Sequence, residues 1–173
     1  MASSRYDGRT VFLHWATAAL IFIAWASGQT IDWFPKGPIK IDARSAHFAL
    51  GILIATATAY RIYWRSTKGK RFHDTSFTSV PARAVKAALY VLILAAVGLG
   101  LYNLFLRGDS IFNLFSAPKI GALPAPARHA AVNDVTRLHV LCANLILGAA
   151  GIHALAALFH RFVLKDRVFQ RMW

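Results

Sequence analysis

The sequence contains a single cysteine, Cys142, and no glutamate; its seven acidic residues are all aspartates, set against twenty lysines and arginines. One cysteine excludes an internal disulfide and the CxxCH motif that anchors c-type haem, and leaves Cys142 as a small packing residue. None of the aspartates falls inside a long apolar run, which removes the carboxylate relays on which proton-coupled membrane transporters usually depend. Internal repeats and low-complexity tracts are also missing, as are the period-2 and amphipathic patterns of soluble elements. With 57% hydrophobic residues gathered into long runs, the chain is not an ordinary soluble domain.

A run of about 20 apolar residues crosses the roughly 30 Å of bilayer hydrocarbon as a helix. Four such runs are present: 11–31, 46–64, 85–106 and 138–162. They predict an all-α fold, an integral membrane four-helix bundle forming one domain over residues 1–173. The first run is about twice as long as a secretory h-region and leads into a polar loop rather than a small-residue cleavage site, so it reads as a retained span. The N-terminus, the connection 65–86 and the C-terminal tail, with Arg61 and Arg161, hold 13 of the 20 basic residues. The positive-inside rule then places both termini in the cytoplasm. The formal charge of +13 flanks the spans and is matched to lipid headgroups and topology, not to nucleic acid.

Histidines are where the chemistry gathers. In an antiparallel bundle His14 lies near the cytoplasmic end of the first span and His47 at the outer end of the second. The fourth span runs inward from His139, and His153 lies about 21 Å deeper. Fourteen residues make nearly four helical turns, so His139 and His153 share a face, lined by the small residues Ala143, Ala150 and Ala157. Depth pairs His47 with His139 outside and His14 with His153 inside. Two imidazoles per site are too few for zinc but suit haem, whose porphyrin supplies four nitrogens and leaves two axial positions to the protein. Taken singly, a histidine at a span end is more often a snorkelling or hydrogen-bonded residue than a ligand; the matched depths favour the joint reading. The third span has no histidine and reads as a scaffold helix.

Arg61 follows His47 by fourteen residues on the same helix face, near the inner pair, and Arg44 and Arg137 stand near the outer one. Each is a candidate partner for an anionic haem propionate, and each equally marks a helix end. His73 and His129 read as solvent-facing loop residues.

The segments LHW (13–15), AHFALG (46–51), LHVLCAN (138–144) and IHALAALFHRFVLKD (152–166) resemble the bacterial cytochrome b561 family. The resemblance spans nearly the whole chain in order and spacing. It implies a multi-pass protein of the bacterial inner membrane with two b-type haems, one ligated by His14 and His153 and the other by His47 and His139. It also implies electron exchange with ubiquinone and, for short single-chain members, oxidation of superoxide.

His160 lies about 10 Å beyond His153, too far to share an iron. Reducing a quinone consumes protons, and a histidine titrates near neutrality, so His160, helped by Arg161 or Lys165, is the candidate catalytic group of a quinone site. On the outer side Lys36, Lys40, Arg44, Lys119 and Arg137 form a basic funnel that would raise the on-rate of an anion such as superoxide. Two other readings stand beside this one. In the first, the chain is a cytochrome b subunit relaying electrons between quinone and a periplasmic or membrane redox partner. In the second, it is a haem-free membrane protein that uses its histidines for protons.

Overall fold

The structure, a computed structural model, describes residues 5–68, 79–166 and 169–172. Four helices dominate it: α1 (Gly8–Thr30), α2 (Pro38–Thr67), α3 (Ser79–Arg107) and α4 (Ala125–Phe162). Their starts carry local signals. Asp7 caps α1, accepting from the backbone N–H of Thr10 at 2.9 Å, and Pro38 opens α2 behind Gly37, whose φ of +141° suits only glycine. Pro124 and Pro126 do the same for α4. Several threonine hydroxyls within the helices return to carbonyls one turn back, as Thr17 does to Leu13 at 2.6 Å and Thr56 to Ile52 at 2.9 Å. In hydrocarbon, where no water is on offer, that satisfies the hydroxyl inside its own helix.

Three of these helices are long and apolar enough to cross a membrane. The 30-residue α2 has the length, about 45 Å, but His47, Thr56, Thr58 and Arg61 dilute its apolar run. Large apolar side chains point outward over the bundle, among them Phe12, Phe22, Ile52, Val91 and Leu155. Such a surface is a liability in water and the natural one for lipid.

Consecutive helices are antiparallel. Asp7 before α1 accepts from Trp64 Nε1 near the end of α2 at 2.9 Å, and Asn103 near the end of α3 donates to Thr136 early in α4 at 2.8 Å. The bundle is built from two close pairs, α1 with α2 and α3 with α4, which touch each other far less. Where the pairs do meet, Ala24, Ile54, Ile93, Ala96 and Ile146 form the buried core, with Cys142 packed beside it. Ile146 falls midway between His139 and His153 on α4, so this core sits at half depth, between the two histidine levels.

Several helices overrun the predicted spans. α2 begins at Pro38 rather than Ala46, and α4 begins at Ala125 rather than Leu138, so the predicted 107–137 loop is partly helix. His129 is accordingly an exposed residue near the start of α4, not a loop residue; His73 lies outside the described residues. Between α3 and α4 a two-stranded antiparallel hairpin, β1 (Ser110–Ile111) and β2 (Phe115–Ser116), turns through Phe112 and Asn113, both with positive φ. It is fastened to the outer end of α2: Phe112 N–H donates to Ser45 Oγ at 2.9 Å, and Asn113 Nδ2 to Asp42 at 2.7 Å.

Candidate functional site

The four histidines come together as two pairs of near-identical geometry. The rings of His47 and His139 have centroids 6.0 Å apart, and those of His14 and His153 are 6.3 Å apart, with an interplanar angle of 77° in both. A metal held between two imidazoles by bonds of about 2 Å requires ring centroids about 6 Å apart. Among the described residues, no three His, Cys or Asp side chains converge on one point. Each site therefore offers two nitrogen donors, and any further ligands must come from the bound group.

At the outer pair the ring nitrogens are already sorted. His139 Nδ1 lies 2.8 Å from the Ala96 carbonyl, which can only accept. His47 Nδ1 lies 2.9 Å from Ser27 Oγ, whose own proton goes to the Ala24 carbonyl at 2.8 Å. Both imidazoles thus carry their proton on Nδ1 and turn an Nε2 lone pair inward, the tautomer a metal ligand needs. Helix backbone stands directly behind each ring. A Cβ built on Gly28 would meet His47 Cε1 at 3.1 Å, and one on Gly100 would meet His139 Cε1 at 3.3 Å. Only glycine gives these rings their room.

Beside the outer pair opens a cavity of about 260 Å³ with an almost wholly apolar wall, which includes Gly51, Ala55, Ala96, Gly100 and Ala143 together with both histidines. A Cβ on Gly51 would meet nothing within 4 Å. Small residues facing a void between two imidazoles make a cradle that a flat apolar macrocycle fits. The third helix is more than a scaffold here, since it supplies the carbonyl of Ala96 and the backbone at Gly100.

At the inner pair Arg61 Nη2 donates to His14 Nδ1 at 3.0 Å, and Arg61 Nε is buried without a hydrogen-bond partner. The predicted proximity of Arg61 to this pair is what the structure has. Arg44 is bound to Asp109 at 3.0 Å and Lys40 to Asp32 at 2.8 Å, so two members of the predicted funnel are neutralised. Lys36, Lys119 and Arg137 form no ion pair among the described residues, and Arg137 is exposed. Arg107, at the end of α3, carries no sequence signal that sets it apart from other helix-end arginines. Its Nη2 donates to Thr136 at 2.9 Å, one turn outward of His139.

His160 sits at the inner end of α4, beside a shallow open groove of about 520 Å³ walled by Ile152, Leu155, Ala156 and Phe159. Its Nδ1 is hydrogen-bonded to the carboxylate of Asp166. The chain reaches that position because Lys165 adopts a left-handed φ of 51° after the helix ends, folding Asp166 back so that its N–H meets the His160 carbonyl at 3.1 Å. Lys165 thus shapes the turn through its backbone, while its side chain and that of Arg161 are exposed.

A sequence model of the family described as prokaryotic cytochrome b561 matches residues 5–173. The chain is 28% identical over 178 residues to cytochrome b561 homolog 1 of Escherichia coli (strain K12), covering 98% of this chain and 97% of that protein. It is 26% identical to the probable superoxide oxidase CybB of Yersinia pestis, over 97% of this chain and 95% of the relative. To cytochrome b562 of Cereibacter sphaeroides it is 27% identical, over 96% and 94% respectively. With a helical membrane bundle, paired imidazoles and a family match across nearly its whole length, the chain belongs to the prokaryotic cytochrome b561 family of membrane electron-transfer proteins, which bind haem b.

Proposed function

We propose that the chain binds two haem b groups, one between His14 and His153 and one between His47 and His139, and passes electrons from superoxide on the outer face of the bacterial inner membrane to ubiquinone near its cytoplasmic end. The observation that carries this reading is the repetition of one ring geometry, 6.0 and 6.3 Å at 77°, at two depths of one bundle. A haem b held by each histidine pair would supply one-electron redox chemistry at that level.

The protein's own residues do the rest. Ser27 and the Ala96 carbonyl hold the Nδ1 protons of His47 and His139, and Gly28 and Gly100 fix how far those rings can retreat. Apolar side chains stand at half depth between the two levels. On the outer face Lys36, Lys119 and Arg137 would draw in a small anion. At the inner end His160, oriented by Asp166, offers a proton at Nε2 in its imidazolium form to a quinone oxygen beside the groove. The name of the Yersinia relative supports superoxide as the electron donor.

The test is the purified chain alone, with a haem-to-protein ratio from its reduced-minus-oxidised spectrum and turnover of superoxide with ubiquinone. A ratio near two with turnover is expected. A ratio of zero ends the reading, and two haems without turnover unless a redox partner is added moves the chain to the role of a relay subunit.

A further inference from the structure

The cavity beside His47 and His139 is walled almost wholly by apolar atoms, and toward the membrane centre its wall is the core of Ala24, Ile54, Ile93, Ala96 and Ile146. A carboxylate turned that way would find no partner. The outward direction differs. Gly100, Asn103 and Arg107 follow one another at one-turn spacings along one face of α3, and Thr136 stands one turn outward of His139 on α4. Asn103 Nδ2 donates to Thr136 Oγ1 at 2.8 Å and Arg107 Nη2 donates to it at 2.9 Å, while the hydroxyl proton goes to the Val132 carbonyl at 2.7 Å. Thr136 is thereby saturated. Two polar atoms of the cluster are left over: Asn103 Oδ1 and Arg107 Nε are both buried without a hydrogen-bond partner among the described residues. Buried polar groups are nearly always paired, so two orphans side by side call for a ligand.

Arg107 also lacks a carboxylate. Asp109 and Asp32 lie within its electrostatic range, but Asp109 is bonded to Arg44 at 3.0 Å and Asp32 to Lys40 at 2.8 Å. Arg107 itself forms no ion pair among the described residues. Haem b is amphiphilic, an apolar macrocycle that fits the cavity and two carboxylates that need a cation in a low-dielectric setting. Resting on the two-haem reading above, we infer that Arg107 is the carboxylate-binding residue of the outer haem site, and that the group is held with its carboxylate edge toward the outer face. Arg107 Nε–H would donate to that carboxylate. Asn103 Oδ1 can only accept, so a water that donates to both oxygens would complete the pocket. The two cations that sequence position suggests for the role serve it less well, since Arg44 is committed to Asp109 and Arg137 is exposed. Charge matters for a second reason. An uncompensated carboxylate at the outer face would repel an incoming superoxide anion, whereas Arg107 cancels it and leaves the field of Lys36, Lys119 and Arg137 to attract.

The experiment is a titration of the full-length protein with haem b and with its dimethyl ester, in which both carboxylates are blocked. The outer site is the one lost in His47→Ala. Wild type is expected to bind the ester there roughly 10- to 100-fold more weakly than haem b, the worth of a hydrogen bond to a charged group. Arg107→Gln, which keeps a side-chain N–H but no charge, is expected to lose a similar factor for haem b and to bind haem b and ester alike. Arg44→Gln and Arg137→Gln are expected to discriminate as wild type does. Equal affinity of the wild-type outer site for the two ligands overturns the inference, as does undiminished discrimination in Arg107→Gln. If that variant does not fold, the rival cations decide: loss of discrimination in Arg44→Gln or Arg137→Gln overturns the inference, and discrimination in both sustains it. A wild-type haem ratio that His47→Ala leaves unchanged defeats the two-haem reading instead, and is detected before any ester is added.

Discussion

Consider replacing the two glycines that back the outer imidazoles. A Cβ at position 28 would stand 3.1 Å from His47 Cε1, and one at position 100 would stand 3.3 Å from His139 Cε1, both inside ordinary contact distance. Neither ring can retreat freely. His139 is tied to the Ala96 carbonyl at 2.8 Å and His47 to Ser27 Oγ at 2.9 Å, so relief of the clash stretches a hydrogen bond or rotates Nε2 off its axis. Overpacking of this kind costs about 1–3 kcal/mol, which at 1.4 kcal/mol per tenfold is a loss of roughly 5- to 150-fold in affinity for the outer haem. Alanine also raises helix propensity by up to about 1 kcal/mol, a gain in fold stability that partly masks the defect in a melting experiment. The decisive assay is therefore haem titration of Gly28→Ala, Gly100→Ala and the double variant, with the inner haem as internal reference. Gly148→Ala is the control, because a Cβ there meets nothing within 4 Å. Full outer-haem affinity in the double variant would refute the claim that backbone at these two positions sets the site.

Other outcomes follow from the same geometry. Ser27→Ala removes the acceptor of His47 Nδ1 and should weaken outer-haem binding about 10- to 100-fold, the usual effect of losing such a partner; an unchanged binding curve would show that the serine does not fix the ring. His160→Ala should slow ubiquinone reduction by about 10²- to 10⁴-fold with both haems retained, and Asp166→Asn should slow it less, since the imidazole remains but loses its carboxylate. Wild-type rates in both variants would place proton delivery elsewhere.

How much of this was legible in the sequence differs from one feature to another. Spans and histidine pairs are legible because hydrophobic runs and a fourteen-residue spacing are side-chain signals with a fixed geometric meaning. The outer extension of α4 from Ala125 carries polar and charged residues without an apolar run, so a reading tuned to hydrocarbon thickness stops short of it. The contribution of α3 was invisible for another reason. A carbonyl such as that of Ala96 has no letter of its own, and Gly100 looks like any small residue in a span until its neighbour is known to be His139. The role of Asp166 is not legible because its approach to His160 depends on a left-handed turn at Lys165, a residue type that gives no warning of it. Arg44 illustrates the converse: its place one helical turn before His47 is legible in the sequence, but its pairing with Asp109 depends on where α3 ends and how the following hairpin docks.

The apolar core at half depth, Ala24, Ile54, Ile93, Ala96 and Ile146, acts electrically as the dielectric of a capacitor whose plates are the two histidine levels. Those levels lie about 21 Å apart along α4, roughly two-thirds of the hydrocarbon thickness. On the two-haem reading, an electron crossing between them would move through that fraction of the membrane field, so a potential of 100 mV, negative inside, would oppose each inward transfer by about 1.6 kcal/mol out of the 2.3 for a full crossing. Throughput on that reading would be tied to the energised state of the membrane, falling when the cell is fully charged and rising when the gradient runs down.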